Sequence, residues 1–182
     1  MSTTGGDSGK IDRLLNPRSV AVIGASNTKG KVGNTIFEGL KHSRARLYPV
    51  NPHEDVISGH KSYPQISDLP DTVDVAVITV RSEKAVDIAE QCAQNEIHNI
   101  IVVAGGFAEA GDRGKALEER LRAVPERSES RILGPNSLGV FVPENNFDTI
   151  FVEHGDRALA EGGGIAFISQ SGGILVDQMV KF

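Results

Sequence analysis

Short apolar runs alternate along this chain with stretches whose apolar residues recur every three or four positions. "SVAVIG" (Ser19 to Gly24) is an unbroken run of β-branched and small residues, the pattern of a parallel strand buried on both faces. "KVGNTIFEGLKHS" follows, with Val32, Ile36, Phe37 and Leu40 at helical spacing. "RLYPVNP" predicts a second strand, stopped by Pro52, and "DVAVITV" (Asp74 to Val80) a third. Ser82 reads as an N-cap for a helix whose stripe is Ala85, Ile88, Ala89, Cys92 and Ala93. "HNIIVVAGG" predicts a fourth strand, "DRGKALEERLRAV" a helix facing inward through Ala116, Leu117, Leu121 and Val124, and "RILGPNSLGV" a fifth short strand and turn.

Alternation of strand and helix along the chain predicts an α/β domain of βαβ units with a parallel sheet and right-handed crossovers. In such sheets ligands bind beyond the C-terminal ends of the strands. The residues there are "GAS", "NP", "VRS", "AGG" and "GPN", so five candidate loops converge on one rim.

The pattern changes after Val142. "PENNFDT" and "EHGDRALAEGGG" are polar and Gly-rich, and "IAFISQSGGILVDQMVKF" then repeats the strand, Ser/Gly turn and helix of the start. One strand and one helix bury no core alone. The expected organisation is a disordered lead-in over residues 1–10, a ligand-binding domain over 11–142, and over 143–182 a linker with the opening strand and helix of a truncated second domain.

Composition narrows the functional classes. The chain has 182 residues, a net charge of -5 and no Lys/Arg run, which disfavours nucleic acid and anionic membrane as partners. The single cysteine, Cys92, permits no intramolecular disulfide and fits a reducing cytosol, so a cytoplasmic placement is expected. No apolar stretch approaches a membrane span, and "MSTTGGDSGK" lacks the apolar core of a signal peptide.

Residues Gly24 to Gly33, "GASNTKGKVG", form a Gly-rich turn after the first strand. Such a turn holds phosphate through the free N–H groups and dipole of the next helix. Ser26 and Asn27 offer side-chain donors, and Lys29 and Lys31 add charge. A dinucleotide fingerprint needs G-x-G-x-x-G and an acid at the end of the second strand. Here Gly30 and Gly33 come late, and Asn51 and Pro52 stand where the acid belongs; Glu54 and Asp55 lie past a proline turn. A triphosphate P-loop is excluded, since no G-x-x-x-x-G-K-[ST] occurs.

"LLNPRSVAVIGASNTKGKVG", "YPVNP", "VDVAVITV", "AGGFAEAG", "GPNSLG" and "ISQSGG" occur in the order found in NDP-forming acyl-CoA synthetases, which the chain resembles from about Ile11 onward. These are relatives of the α subunit of succinyl-CoA synthetase. The resemblance implies a Rossmann-like, doubly wound CoA-binding domain followed by the start of a flavodoxin-like domain. Gly24, Ala25, Ser26 and Asn27 would wrap the phosphates of CoA, with Asn51 and Pro52 beside the adenosine. Val80, Arg81 and Ser82 would lie against adenine and pantetheine. Ala104, Gly105 and Gly106 would line the pantetheine path, and Pro135, Asn136 and Ser137 would stand near the thiol end. Ser171 and Gly172 would open a helix facing a phosphate. The family often has proline at the place of Arg81, cysteine at Ser137, and a basic residue at His53, whose loop leaves the second strand at the ligand rim.

The family reaction is acyl-CoA + NDP + phosphate ⇌ acid + CoA + NTP, relayed through a histidine of the second domain. None of the five histidines, His42, His53, His60, His98 and His154, stands in such a Gly-rich context. The expectation is therefore no catalytic residue in this chain, no metal ligand, and Mg and NDP reached only through other domains or a nucleotide-grasp subunit. Cys92 reads as a small buried hydrophobe, and Glu109 as a solvated acid or an approach to ligand. Two other readings stay open: a non-catalytic CoA-responsive module of a protein acetyltransferase, and an NAD(P)-binding Rossmann domain.

Overall fold

The computed structural model describes residues 5–152 and 163–179. Its centre is a five-stranded sheet built from β1 (Ser19–Ile23), β2 (Arg46–Val50), β5 (Val75–Ile78), β6 (Asn99–Val102) and β7 (Arg131–Leu133). The order is β2-β1-β5-β6-β7, and every pairing is parallel. Each strand follows the previous one by a crossover, so the sheet is doubly wound, and its order reverses between β1 and β5. The predicted α/β, Rossmann-like fold is what the chain adopts.

The two faces of the sheet carry different partners, and side-chain alternation decides which residue serves which. Ala21, Ile23, Ala76, Ile78, Ile100 and Val102 pack against Ala85, Val86, Ala89 and Cys92 of α3 (Ser82–Gln94) and Leu121 and Val124 of α4 (Asp112–Glu126). Val20, Val22, Val75, Val77 and Ile101 pack against Ile36, Phe37 and Leu40 of α2 (Val32–Leu40). The helical stripes are placed as predicted with one exception. Ala116 is exposed, and α4 instead turns Gly114 inward, because a Cβ there would lie 1.8 Å from the Phe107 carbonyl oxygen.

Four expectations are corrected. Residues 1–10 are not wholly a disordered lead-in: α1 spans Gly5–Leu15, with Lys10 Nζ 2.9 Å from a Glu129 carboxylate and Leu14 packed on the α2 face of the core. Ser82 is not an N-cap but the first helical residue; Arg81 precedes it in extended conformation. Packing on the first domain continues past the boundary expected at 142. An antiparallel hairpin of β8 (Phe141–Val142) and β9 (Phe147–Asp148) returns the chain to the core, burying Phe147, Thr149 and Ile150. Finally, the segment 165–170 forms no strand, because a strand needs a hydrogen-bonding neighbour and none is supplied among the described residues. Ile165 and Ile168 there are 89% and 97% exposed. The helix expected after it does form, as α5 (Gly172–Met179). His154 lies outside the described residues.

Candidate functional site

Parallel register puts the C-terminal ends of all five sheet strands level. Ile23 pairs with Val50 on one side and Ile78 on the other; Ile78 pairs with Val102, and Ile101 with Leu133. The next residues are the five loops singled out in the sequence, and hydrogen bonds join them into one rim. Asn51 Nδ2 donates to the Ala25 carbonyl oxygen at 2.8 Å, and Thr79 Oγ1 to that of Ile23 at 2.9 Å. The Asn136 N–H donates to the Ala104 carbonyl oxygen at 2.9 Å, and that of Ser137 to Val102 at 3.1 Å.

The strand order reverses between β1 and β5, and the turns that follow these strands meet at Gly24 and Thr79. Gly24 has φ +90°, and a Cβ there would lie 2.6 Å from Thr79 Oγ1 and 2.9 Å from Val80 Cγ1. Its missing side chain therefore lets the β1 and β5 loops touch. Helix α2 begins at Val32 behind this turn, and its N-cap residue, Lys31, supplies no capping side chain. The first-turn N–H groups thus keep the positive end of the helix dipole uncapped. Lys29 and Lys31 are exposed on the same loop.

The other expected site residues fall on this rim with different accessibility. Pro52, His53, Arg81, Gly105 and Asn136 are exposed; Val80, Ala104, Gly106, Pro135 and Ser137 are half-buried; Ala25 and Ser82 are buried. A Cβ on Gly106 would meet Ser82 Oγ at 3.0 Å, and one on Gly105 would meet Asn136 Oδ1 at 3.4 Å, so these four sit together. Glu109 turns back on its own loop: its Oε1 accepts the Gly106 N–H at 2.6 Å. The N–H groups of Gly106, Glu109 and Phe107 hold its carboxyl below the ordinary value. Ser171 caps α5, accepting the Ile174 N–H at 3.4 Å, and a Cβ on Gly172 would lie 3.2 Å from Leu138 Cβ. The start of α5 thereby touches the fifth loop.

Ser26 and Asn27 are placed on the loop but their side chains are not free donors. Ser26 is 3% exposed, and its Oγ donates to Glu54 Oε1 at 3.1 Å and accepts the Thr28 N–H at 3.1 Å. Asn27 Nδ2 donates to Glu54 Oε2 at 2.6 Å and to the Val56 carbonyl oxygen at 2.8 Å, while its Oδ1 accepts the Ser58 N–H at 2.9 Å. Asn34 Nδ2 holds the Ser26 carbonyl oxygen at 2.9 Å. Glu54 is thus a rim residue that sequence reasoning left without a role. Partial burial raises its carboxyl, but the Ser26 hydroxyl, the Asn27 N–H and amide, and the charge of Lys31 outweigh this, and its pKa lies below the ordinary value. The signal was slight: an acid soon after the second strand, separated from it by Asn51-Pro52.

His60 packs edge-on against Phe37 with ring centroids 5.4 Å apart, and His98 precedes β6, so neither faces the rim. Among the described residues no group of three or more His, Cys, Asp or Glu is placed to hold a metal ion, and no helix is long and apolar enough to cross a membrane. A depression of about 170 Å³, lined by Ile66, Leu69, Asp71, Val73, Asn95 and Ile97, lies at the opposite, N-terminal edge of the sheet. Asp71 there is tied to Arg46 and Tyr48, both through its Oδ2. The rim is the better site, because it combines the reversal of strand order with an uncapped helix start.

A family model described as CoA binding domain matches residues 18–143. The chain is 39% identical over 166 residues to acetate–CoA ligase (ADP-forming) I of Archaeoglobus fulgidus, which covers 91% of this chain and 24% of that one. It is 34% identical over 165 residues to the alpha subunit of acetate–CoA ligase (ADP-forming) II of Pyrococcus furiosus, covering 90% and 35% respectively. The solved dinucleotide forming acetyl-coenzyme A synthetase 1 of Ca. Korarchaeum cryptofilum, in complex with phosphate and ADP, superposes with a TM-score of 0.82 at 36% identity, over 93% of this chain and 36% of that one. The chain therefore spans about a quarter to a third of the length of the relatives it matches. By the family match over most of its length, and by relatives that are ADP-forming acyl-CoA ligases, this chain belongs to the CoA binding domain family.

Proposed function

We propose that the chain binds coenzyme A along the C-terminal rim of its sheet, as the CoA-binding portion of an NDP-forming acyl-CoA synthetase. The observation that carries this reading is the rim where the strand order reverses, with the uncapped start of α2 and the exposed Lys29 and Lys31 on the β1 loop. These residues fit the phosphate-bearing end of CoA: N–H groups at a helix start and two exposed cations on one loop. Asn51, Pro52 and His53 border the adenosine. Val80, Arg81 and Ser82 lie against adenine and pantetheine, Ala104, Gly105 and Gly106 line the pantetheine path, and Pro135, Asn136 and Ser137 stand at the thiol end. CoA supplies the thiol that carries an acyl group as a thioester. This chain's part is to orient that thiol toward the fifth loop and the start of α5 at Ser171 and Gly172. The other ligase domains, or a nucleotide-grasp subunit, provide the phosphorylated histidine and the Mg and NDP sites, in the cytoplasm.

A dinucleotide site is disfavoured by the same geometry. It requires a carboxylate free to accept ribose hydroxyls, and both oxygens of Glu54 are already engaged by Ser26 and Asn27. Calorimetric titration with CoA and with NADH tests the reading. CoA is expected to bind at least about tenfold tighter, equivalent to roughly 1.4 kcal/mol; equal or tighter NADH binding overturns it.

A further inference from the structure

We infer that Glu54 is a positioning residue for ligand binding, one that shapes the β1 loop and leaves Lys29, Lys31 and the α2 start, not the side chains of Ser26 and Asn27, as the anion contacts. The inference rests on the CoA reading above and deepens it. The Glu54 carboxylate stands 28 residues from Ser26 in sequence, yet accepts three donors from the loop: Ser26 Oγ at 3.1 Å, the Asn27 N–H at 3.3 Å and Asn27 Nδ2 at 2.6 Å. Asn51 Nδ2, which also holds the Ala25 carbonyl oxygen, approaches the same carboxylate at 3.4 Å. The loop is tied further to the small antiparallel hairpin of β3 (Val56–Ile57) and β4 (His60–Lys61) through Asn27 to Val56 and Ser58. Ser58 Oγ in turn donates to Glu38 of α2.

This network decides which loop groups face outward. A phosphate taking the Ser26 and Asn27 side chains would displace a carboxylate from charge-assisted bonds and strand Ser26, which is 3% exposed. With Ser26 turned to Glu54 and Asn27 to Glu54 and the hairpin, the loop is held open over residues 27–31, all exposed. Lys29 and the helix N–H groups therefore meet a ligand with no internal anion to remove, while Lys31 also acts on the Glu54 carboxylate. A carboxylate fixed by several donors is a rigid brace, and a preformed loop loses less entropy when an anion binds.

Calorimetric titration of the full chain with CoA tests this, with Glu54→Ala and Glu54→Gln beside the wild type. Glu54→Ala is expected to weaken CoA about tenfold, because the unbraced loop must then be ordered when the ligand binds. Glu54→Gln keeps one acceptor oxygen and should recover part of that loss. Amide hydrogen exchange should speed up at Asn27 and Thr28 in Glu54→Ala while the amides of β1, β5 and β6 stay as slow as before, which a general loss of stability would not produce. If Glu54→Ala binds CoA as well as the wild type, or tighter, the carboxylate is idle or is itself displaced by phosphate, and the inference fails. A wild-type chain that takes no CoA overturns the CoA reading itself and this inference with it.

Discussion

A Cβ placed on Gly33 would lie 2.0 Å from the carbonyl oxygen of Gly24. The first turn of α2 and the turn after β1 thus meet backbone to backbone, and this contact fixes where the helix start points. Gly33→Ala should therefore force the helix off the turn and cost about 1–3 kcal/mol, as overpacking does. Gly30→Ala is the comparison. Gly30 has φ +83° but open space around it, so only the left-handed conformation opposes a side chain, at about 1–2 kcal/mol. Calorimetric titration of the two folded variants with CoA separates the effects: CoA affinity should fall more in Gly33→Ala, and equal affinities would remove the contact from the argument.

The sheet and its helices were legible because burial on both faces leaves an unmistakable pattern. Val75 to Ile78 are all fully buried and read as an unbroken apolar run, while Ile36, Phe37 and Leu40 repeat at the helical period. Elements made by tertiary contact were not legible. β3 and β4 have two residues each, too few to show a period, and Phe147 sits in a polar stretch whose composition resembles a linker. The five rim loops followed from the strand ends. The role of Glu54 did not, because it depends on a hairpin bringing residues 28 apart together. The same hairpin turned Ser26 and Asn27, read as free donors, toward the protein.

Phe147 is 1% exposed and packs in the cluster of Val20, Ile36 and Phe37. Phe147→Ala should cost about 3–5 kcal/mol, the usual loss for a buried aromatic. A chain ending at 142 loses this residue and Ile150 together, whereas one ending at 152 keeps both. Thermal melts should show the shorter chain markedly less stable. Equal melting temperatures would restore the boundary at 142.

Burial pushes the Cys92 thiol up to about 12 from an ordinary 9.0. A group whose pKa is raised by folding adds stability at pH values below its unfolded pKa, and loses it as the pH climbs. The contribution of Cys92 is therefore intact below about pH 9 and fades between there and about 12. At pH 8 the thiol should be inert to an aromatic disulfide reagent and react fully in urea. Fast labelling of the native chain would show that α3 opens readily.

Carboxylates bracing the rim loops act in the opposite sense. Glu54 and Glu109 both have pKa values below the ordinary 4.5 in the folded chain. The unfolded chain then binds protons more readily, so their stabilisation is present above about pH 4.5 and drains away as the pH falls below it. Exchange at Asn27 and Gly106, whose N–H groups these acids accept, should lose protection in that range before the sheet does. Simultaneous loss across the sheet would show that the loops have no separate acid sensitivity.

Lys29 gives the cleanest probe of the anion contact. It is exposed on the β1 loop, whereas Lys31 also acts on Glu54 and cannot be reversed without disturbing that brace. Lys29→Glu should leave the melting temperature unchanged, because an exposed lysine adds little to stability. It should weaken CoA by about tenfold, since a charge of the wrong sign then faces the phosphates. Arg127→Glu is the matched control: the same change of charge at the C-cap of α4, just before β7 and at the opposite edge of the sheet. Raising the salt should weaken wild-type binding and narrow the gap between wild type and Lys29→Glu, because surface charges are screened over about 10 Å at 0.1 M. If Lys29→Glu and Arg127→Glu bind CoA equally well, the phosphates do not lie on this loop and the rim must be entered elsewhere.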